Sequence, residues 1–391
     1  MYKYLFSIVV AATSVVSQPL QNDNGWRPAW GIDRIDQRSA SLDDRYNYSY
    51  DGSGVDVYVF DSGISSSHEE FSGRVAQGFN VISDGYGTED CSGHGTHSAS
   101  LIGGKTYGVA KNVRLIPVRV LNCNNSNSSS ATMYPAIDWI IENHQSGTPA
   151  VVNVSVGMSK SIAFNDAIRK LIADGLIVVG SAGNQNRDAC LYSPASEVSM
   201  ISVGGTDRNE LRGSYSNYGP CVDIFAPGSD LVGAWGGSTN AYRSSSGTSN
   251  AAPIVSGIVA TLLQRNPLLT QEEVEKLLKD NATKGALFNI GTGSPNLLAY
   301  SVLDNYGLPP SSSTTTAVTT TTVVPTTTIA PTTTAPTTTA VKTSTTTIQS
   351  KSSLQCKKAA QRTVISGVPY VCVNTGNELM WVPQRYSPAK P

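Results

Sequence analysis

The chain has 391 residues, 39% of them hydrophobic and 7% aromatic, enough for one large domain or two ordinary ones with ample core material. With 28 Lys+Arg against 29 Asp+Glu and a net charge of −1, it lacks the basic footprint of a nucleic-acid binder and any long acidic tail. Its longest apolar run covers about a dozen residues, too few for a membrane span. The charge is segregated. Lys3, Lys342, Lys351 and the +4 carried by residues 352–391 leave −8 for the remainder, so the chain reads as an acidic globular body with a small basic appendage.

In chain order, residues 1–17 begin with Lys3, continue through an apolar stretch at 4–12 and end in small residues. That order is expected of a secretory signal peptide cleaved after Ser17, the other reading being an N-terminal buried strand. Secretion implies an oxidising compartment. Residues 28–307 are mixed in composition. Strand-like runs at 55–60, 114–120, 151–156 and 176–180 alternate with helix-like runs at 131–143, 163–173 and 270–281, which predicts an α/β domain with a mainly parallel sheet flanked by helices. The runs are almost continuous Val, Ile and Leu, as in strands covered on both faces. Thr270-Gln-Glu-Glu273 predicts a capping box.

Residues 308–351 form a Thr/Pro/Ser-rich linker. Half of the forty residues from 311 to 350 are Thr, and a single charge interrupts them. Such a stretch cannot bury enough apolar surface to offset its chain entropy, so a disordered, O-glycosylated stalk is expected. Residues 352–391 regain Cys356, Cys372, Tyr370, Trp381 and Tyr386. They are either a small disulfide-tied module or a structureless tail. Their aromatic residues would suit contact with a cell wall or polysaccharide.

Three segments carry chemistry. A buried strand ends in Asp61. Glycines bracket His94 in Cys91-Ser-Gly-His-Gly-Thr-His97, just before a helix. Ser249, in Ser246-Gly-Thr-Ser-Asn-Ala-Ala-Pro253, opens an apolar helix whose first turn would contain Pro253. A serine hydroxyl becomes a competent nucleophile when an imidazole takes its proton, and the imidazole needs a carboxylate to fix its tautomer. A helix N-terminus adds N–H groups where negative charge develops. Each segment alone is ordinary: a turn aspartate, a satisfied histidine, an N-cap. Together, in the order Asp, His, Ser, they point to nucleophilic hydrolysis.

Residues 28–307 resemble the subtilase family of serine proteases, most closely its proteinase K branch. Asp61-Ser-Gly-Ile, His94-Gly-Thr-His and Gly247-Thr-Ser-Asn-Ala-Ala-Pro match its three signatures. Ser214-Tyr-Ser-Asn-Tyr-Gly219 and Asp223-Ile-Phe-Ala-Pro-Gly228 extend the likeness. The resemblance implies a subtilisin-like three-layer fold and a secreted, monomeric endopeptidase acting on protein or peptide substrates, with no nucleic-acid partner. It assigns Asp61 as orienting carboxylate, His94 as base then acid, Ser249 as nucleophile and Asn184 as oxyanion donor. Substrate would lie along Asn125 and Ser155-Val156-Gly157, with Ser181-Ala182-Gly183 walling the specificity pocket. None of these is charged, so apolar or aromatic side chains are expected there.

Six cysteines allow fifteen pairings. The resemblance favours Cys91–Cys123 and Cys190–Cys221, leaving Cys356–Cys372. It also implies structural calcium on the Asp223 carboxylate and the backbone oxygens of Val198 and Met200. The chain departs from the family at Asn250, usually Met, at Ile254, usually His, and at Ser98-Ala-Ser100, commonly Val-Ala-Gly. Asn125 and Asn127 replace cleft-edge glycines. Residues 18–27 leave too little room for the inhibitory prosegment that secreted subtilases usually carry. Sequons occur at Asn47, Asn124, Asn127, Asn153 and Asn281, and glycosylation at Asn153 is not expected because its strand is buried. The competing reading is a non-catalytic or weakly active surface glycoprotein that keeps the subtilase body as a scaffold.

Overall fold

The computed structural model describes residues 15–20, 29–126 and 130–302, and three strands between 362 and 383. The chain divides into two units, Met1–Ser312 and Ser313–Pro391. The first begins with β1 (Val16–Pro19), α1 (Trp30–Ile35), β2 (Arg45–Tyr48), β3 (Asp56–Asp61), β4 (Phe79–Asn80), α2 (His94–Gly103) and β5 (Arg114–Arg119). Then come α3 (Tyr134–Asn143), β6 (Ala150–Val154), β7 (Met158–Ser159), α4 (Ile162–Ala173), β8 (Ile177–Ser181), β9 (Tyr192–Ser193), β10 (Ile201–Thr206), β11 (Ile224–Pro227) and β12 (Leu231–Ala234). β13 (Tyr242–Ser245), α5 (Thr248–Arg265), α6 (Gln271–Asn281), β14 (Thr283–Lys284) and β15 (Leu297–Leu298) complete it.

The main sheet has the order β14-β15-β11-β10-β8-β6-β3-β5-β4. Every pair in it is parallel except β14–β15. Successive side chains of a strand face opposite sides, and here both sides are dry. Val57 and Val59 of β3, Ile177 and Val179 of β8 and Ile201 and Val203 of β10 join one core with Ala99 and Ile102 of α2 and Val255 and Ile258 of α5. Tyr58 and Phe60, Val152 and Val154, and Val178 join a second with Ile137 of α3 and Phe164 of α4. This double burial explains the unbroken Val/Ile/Leu runs and produces the three layers expected.

The predicted elements are all present, with ends shifted by at most three residues. The capping box forms: Thr270 Oγ1 accepts from Glu273 N at 3.3 Å, and Glu273 Oε2 accepts from Thr270 N at 2.9 Å. Two expectations change. β1 pairs antiparallel with β2, Val16 opposite Tyr48 and Ser17 opposite Asn47, so the expected leader boundary falls inside a strand. That strand is mostly exposed rather than buried, and Arg45 Nε reaches Ser17 Oγ at 2.7 Å. In α5, Pro253 sits in the second turn rather than the first, because the helix begins at Thr248.

The second unit holds three antiparallel strands, Arg362–Ile365, Val368–Asn374 and Leu379–Pro383, with the middle segment pairing to both others. Cys356, Tyr386 and the linker 308–351 lie outside the described residues.

Candidate active site

The carboxyl ends of the central parallel strands form the rim where ligands bind in open α/β sheets. Asp61 closes β3 there, fully buried. Its Oδ1 accepts from Ser62 N at 2.7 Å and from His94 Nδ1, also at 2.7 Å. The carboxylate fixes the tautomer with the proton on Nδ1, which leaves the Nε2 lone pair free. Burial pulls the His94 pKa down, but the charge and hydrogen bond of Asp61, with the more distant Asp90, outweigh it and hold His94 above its ordinary value. Neighbouring His97 is sealed in and depressed to about 4, chiefly by burial; its Nε2 lies 3.1 Å from Leu231 O.

His94 opens α2. Its N-cap Gly93 has φ 95°, and a Cβ there would lie 2.2 Å from the Trp235 ring, so only glycine fits. The start of α2 is wrapped by Asp90, which sequence reasoning missed. Asp90 Oδ1 accepts from Gly93 N (2.8 Å), Ser92 N (2.9 Å) and Ser62 Oγ (2.9 Å), and Oδ2 accepts from Thr96 N (2.9 Å) and Thr96 Oγ1 (2.7 Å). A carboxylate at a helix N-terminus satisfies orphan donors and suits the dipole. Its signal was available in the sequence as an acid four residues ahead of the histidine.

Ser249 is the second residue of α5, which packs against α2 and lies over β6, β8 and β10. Gly247 precedes it. A Cβ on Gly247 would lie 2.9 Å from Ser249 Oγ and 3.3 Å from Asn184 Nδ2, so the hydroxyl and the amide converge on one small space. Asn184 Oδ1 is held from the opposite side by Thr248 N and Thr248 Oγ1, both at 2.8 Å, which turns Nδ2 toward that space. Thr248 Oγ1 also accepts from Gly183 N at 3.1 Å. This orienting role of Thr248 was not read from the sequence, although the residue stood inside a quoted motif.

Pro253 has no N–H to donate to the carbonyl four residues back, which is that of Ser249. That carbonyl instead accepts from Ser155 Oγ at 3.3 Å. Ser155 Oγ in turn accepts from Asn153 Nδ2 at 2.8 Å, and Asn153 Oδ1 accepts from Ser256 Oγ at 2.9 Å. A buried polar chain therefore ties β6 to the nucleophile's turn, and Asn153 is wholly enclosed.

Among the cleft residues, Val156 is buried and Gly157 exposed at the end of β6. Ser181 and Ala182 are buried behind Gly183, whose φ of 100° and close approach to Asn217 Nδ2 demand glycine. Asn217 holds the turn, accepting from Gln185 N and Arg187 N at 3.0 Å and donating to Ala182 O at 2.9 Å. Asn125 takes a left-handed φ of 54° and bonds to Ser92 Oγ. The Cys91–Cys123 disulfide (Cα–Cα 4.9 Å) joins the same two segments, and Cys190–Cys221 (5.2 Å) is also formed. Asn127 and the Cys356–Cys372 pairing fall outside the described residues.

Asp223 does not fit a calcium ion. Its Oδ1 accepts from Lys279 Nζ at 2.9 Å and its Oδ2 from Ser202 N, also at 2.9 Å, so a chain cation already occupies the carboxylate beside which Val198 and Met200 were expected to contribute. Among the described residues, the one other cluster with ligand atoms close together is Asp84, Cys91 and Cys123, and its two cysteines are joined to each other.

The fold is a three-layer α/β sandwich, and its rim gathers a buried acid, an imidazole, a helix-borne hydroxyl and an amide. The sequence profile described as Subtilase family matches residues 52–301, and the chain belongs to that family. It is 49% identical over 271 residues to the Extracellular serine proteinase of Thermus sp. (strain Rt41A), covering 69% of this chain and 65% of that one. With the Alkaline serine exoprotease A of Vibrio alginolyticus it shares 43% over 277 residues, 70% of this chain and 50% of the relative. The chain thus spans two-thirds or less of the length of these relatives. The crystal structure of a cold adapted subtilisin-like serine proteinase superposes with a TM-score of 0.67 at 42% identity, covering 70% of this chain and 98% of the other. The fold is subtilisin-like.

Proposed function

We propose that the protein is a secreted serine endopeptidase working through an acyl-enzyme. The observation that carries this reading is the 2.7 Å His94–Asp61 bond set beside a space shared by Ser249 Oγ and Asn184 Nδ2. Ser249 Oγ attacks the scissile carbonyl carbon while its proton passes to His94 Nε2. The imidazolium so formed is stabilised by Asp61. The carbonyl oxygen becomes an oxyanion, accepting from Asn184 Nδ2 and from the backbone N–H of Ser249 at the start of α5. Collapse breaks the C–N bond, and His94 returns the proton to the leaving amine. Water then repeats the sequence on the ester.

The substrate backbone adds to the open edge at Ser155-Val156-Gly157 and faces Asn125 across the cleft. Ser181, Ala182 and Gly183 carry no charge, which supports apolar or aromatic side chains in the pocket ahead of the scissile bond. The names of the relatives, an extracellular proteinase among them, support secretion, and no helix among the described residues is long and apolar enough to cross a membrane. The test is a peptidyl phosphonate on the full-length chain. Stoichiometric labelling, mapped to Ser249 and lost in Ser249→Ala, is expected. An unlabelled wild-type protein would instead identify a non-catalytic scaffold.

A further inference from the structure

Asp61 has a third hydrogen-bond donor. Ser98 lies four residues after His94 in α2, hence on the same helix face, and is 1% exposed. Its Oγ donates to Asp61 Oδ2 at 3.1 Å, while Oδ1 is taken by Ser62 N and His94 Nδ1. A serine inside a helix commonly turns its hydroxyl back to a carbonyl one turn earlier. Ser100, two residues on, does so, donating to His97 O at 2.8 Å. Ser98 instead spends its only proton on the carboxylate that holds the histidine, which suits a role in the reaction more than one in the helix.

Resting on the proposed proteolytic role, we infer that Ser98 is a positioning residue for the reaction: it pins the plane of the Asp61 carboxylate and draws part of its charge onto Oδ2, away from His94. An acceptor shared among three donors offers less to each, so the hydroxyl weakens the grip of Asp61 on the imidazolium. Among the described residues, β3 supplies Asp61 beside His94, the loop before α2 supplies Asp90 and α2 itself supplies His97; Arg119 of β5 is held on the residue after Asp61, its Nε donating to Ser62 O at 3.1 Å. Of the elements packed on α2, β12 is uncharged and α5 has its one charged residue, Arg265, at the far end. Arg243 of β13 stands one layer further out, over the Trp235 ring that packs on His97.

The experiment compares Ser98→Ala, Ser98→Cys and Ser98→Thr with wild type. For each, the pH profile of kcat/KM, kcat and KM at the plateau, and the melting temperature are measured. In Ser98→Ala the acid limb should move up by about half a pH unit, and kcat should fall about tenfold with KM little changed. Ser98→Thr should restore both, and Ser98→Cys, a weaker donor, should fall between. If Ser98→Ala folds poorly, the Cys and Thr variants carry the same comparison. An unmoved or lowered acid limb, or activity losses that merely follow the melting temperature, would overturn the inference while phosphonate labelling of wild-type Ser249 leaves the proteolytic reading standing. Absence of that labelling overturns both.

Discussion

At the residue scale, the amide of Asn184 shows how a single side chain is aimed. Two donors from Thr248 clamp its oxygen, so its nitrogen has one direction left. Asn184→Ala should therefore lower kcat by about 10²–10³ with KM nearly unchanged, measured on a small peptide ester. Thr248→Val, which keeps the shape and removes the hydroxyl donor, should cost part of that, about tenfold. Asn250 makes a second point. It is 2% exposed directly behind Ser249, its N–H bonds to Gly247 O at 3.0 Å and its Nδ2 reaches Gly228 O at 3.4 Å. With no thioether beside the nucleophile, dilute peroxide should spare activity, and Asn250→Met should make it sensitive; equal survival of both would refute this. Asp61, His94, Ser249 and Asn184 could be singled out in the sequence because each occupies a local pattern of short range. Asp90, Thr248 and Asn217 were not, since their roles consist of hydrogen bonds whose partners the sequence does not identify.

At the scale of elements, the strands and helices were legible from unbroken apolar runs and from helical spacing, and only their ends moved. Pro253 was misplaced by a turn because the start of α5 depends on Gly247 and on the contact with Asn184, neither of which periodicity records. The partner of Asp223 was hidden for a comparable reason. The lysine that bonds its carboxylate comes from α6, 56 residues away. Lys279 also pairs with Glu275 one turn earlier. Burial works against its charge, yet the two carboxylates hold its pKa above the ordinary value. Lys279→Ala would leave a 4% exposed carboxylate without a counter-charge. The expected loss is about 1–2 kcal/mol, the low side for a buried pair because the ammonium is itself a third exposed. Chemical denaturation at pH 7 measures it, and no change in midpoint would argue that the pair is mere surface decoration.

At the scale of the molecule, sequons sort by where the fold leaves their amides. Asn153 is enclosed, Asn281 is 5% exposed with its Oδ1 taken by Arg38 Nη2 at 3.0 Å, and Asn47 Nδ2 donates to Asp36 Oδ2 at 2.8 Å. Asn124 is exposed on the cleft rim, next to Cys123. Glycan mapping of the protein secreted from a glycosylating host should find Asn124 occupied and Asn47, Asn153 and Asn281 bare; sugar on any of these three would mean that its surroundings open before folding is complete. Removing the Asn124 glycan should lower KM for long peptides more than for short esters.

The two helices that carry imidazole and hydroxyl, α2 and α5, rest on one another and on the same side of the sheet, while α3 and α4 cover the reverse. Damage to the reverse layer therefore reaches the chemistry only through the strands between. During gradual heating, amide exchange in α3 and α4 can quicken while the nucleophile still reacts, so the temperature at which this protein stops cutting need not be the temperature at which it starts to come apart.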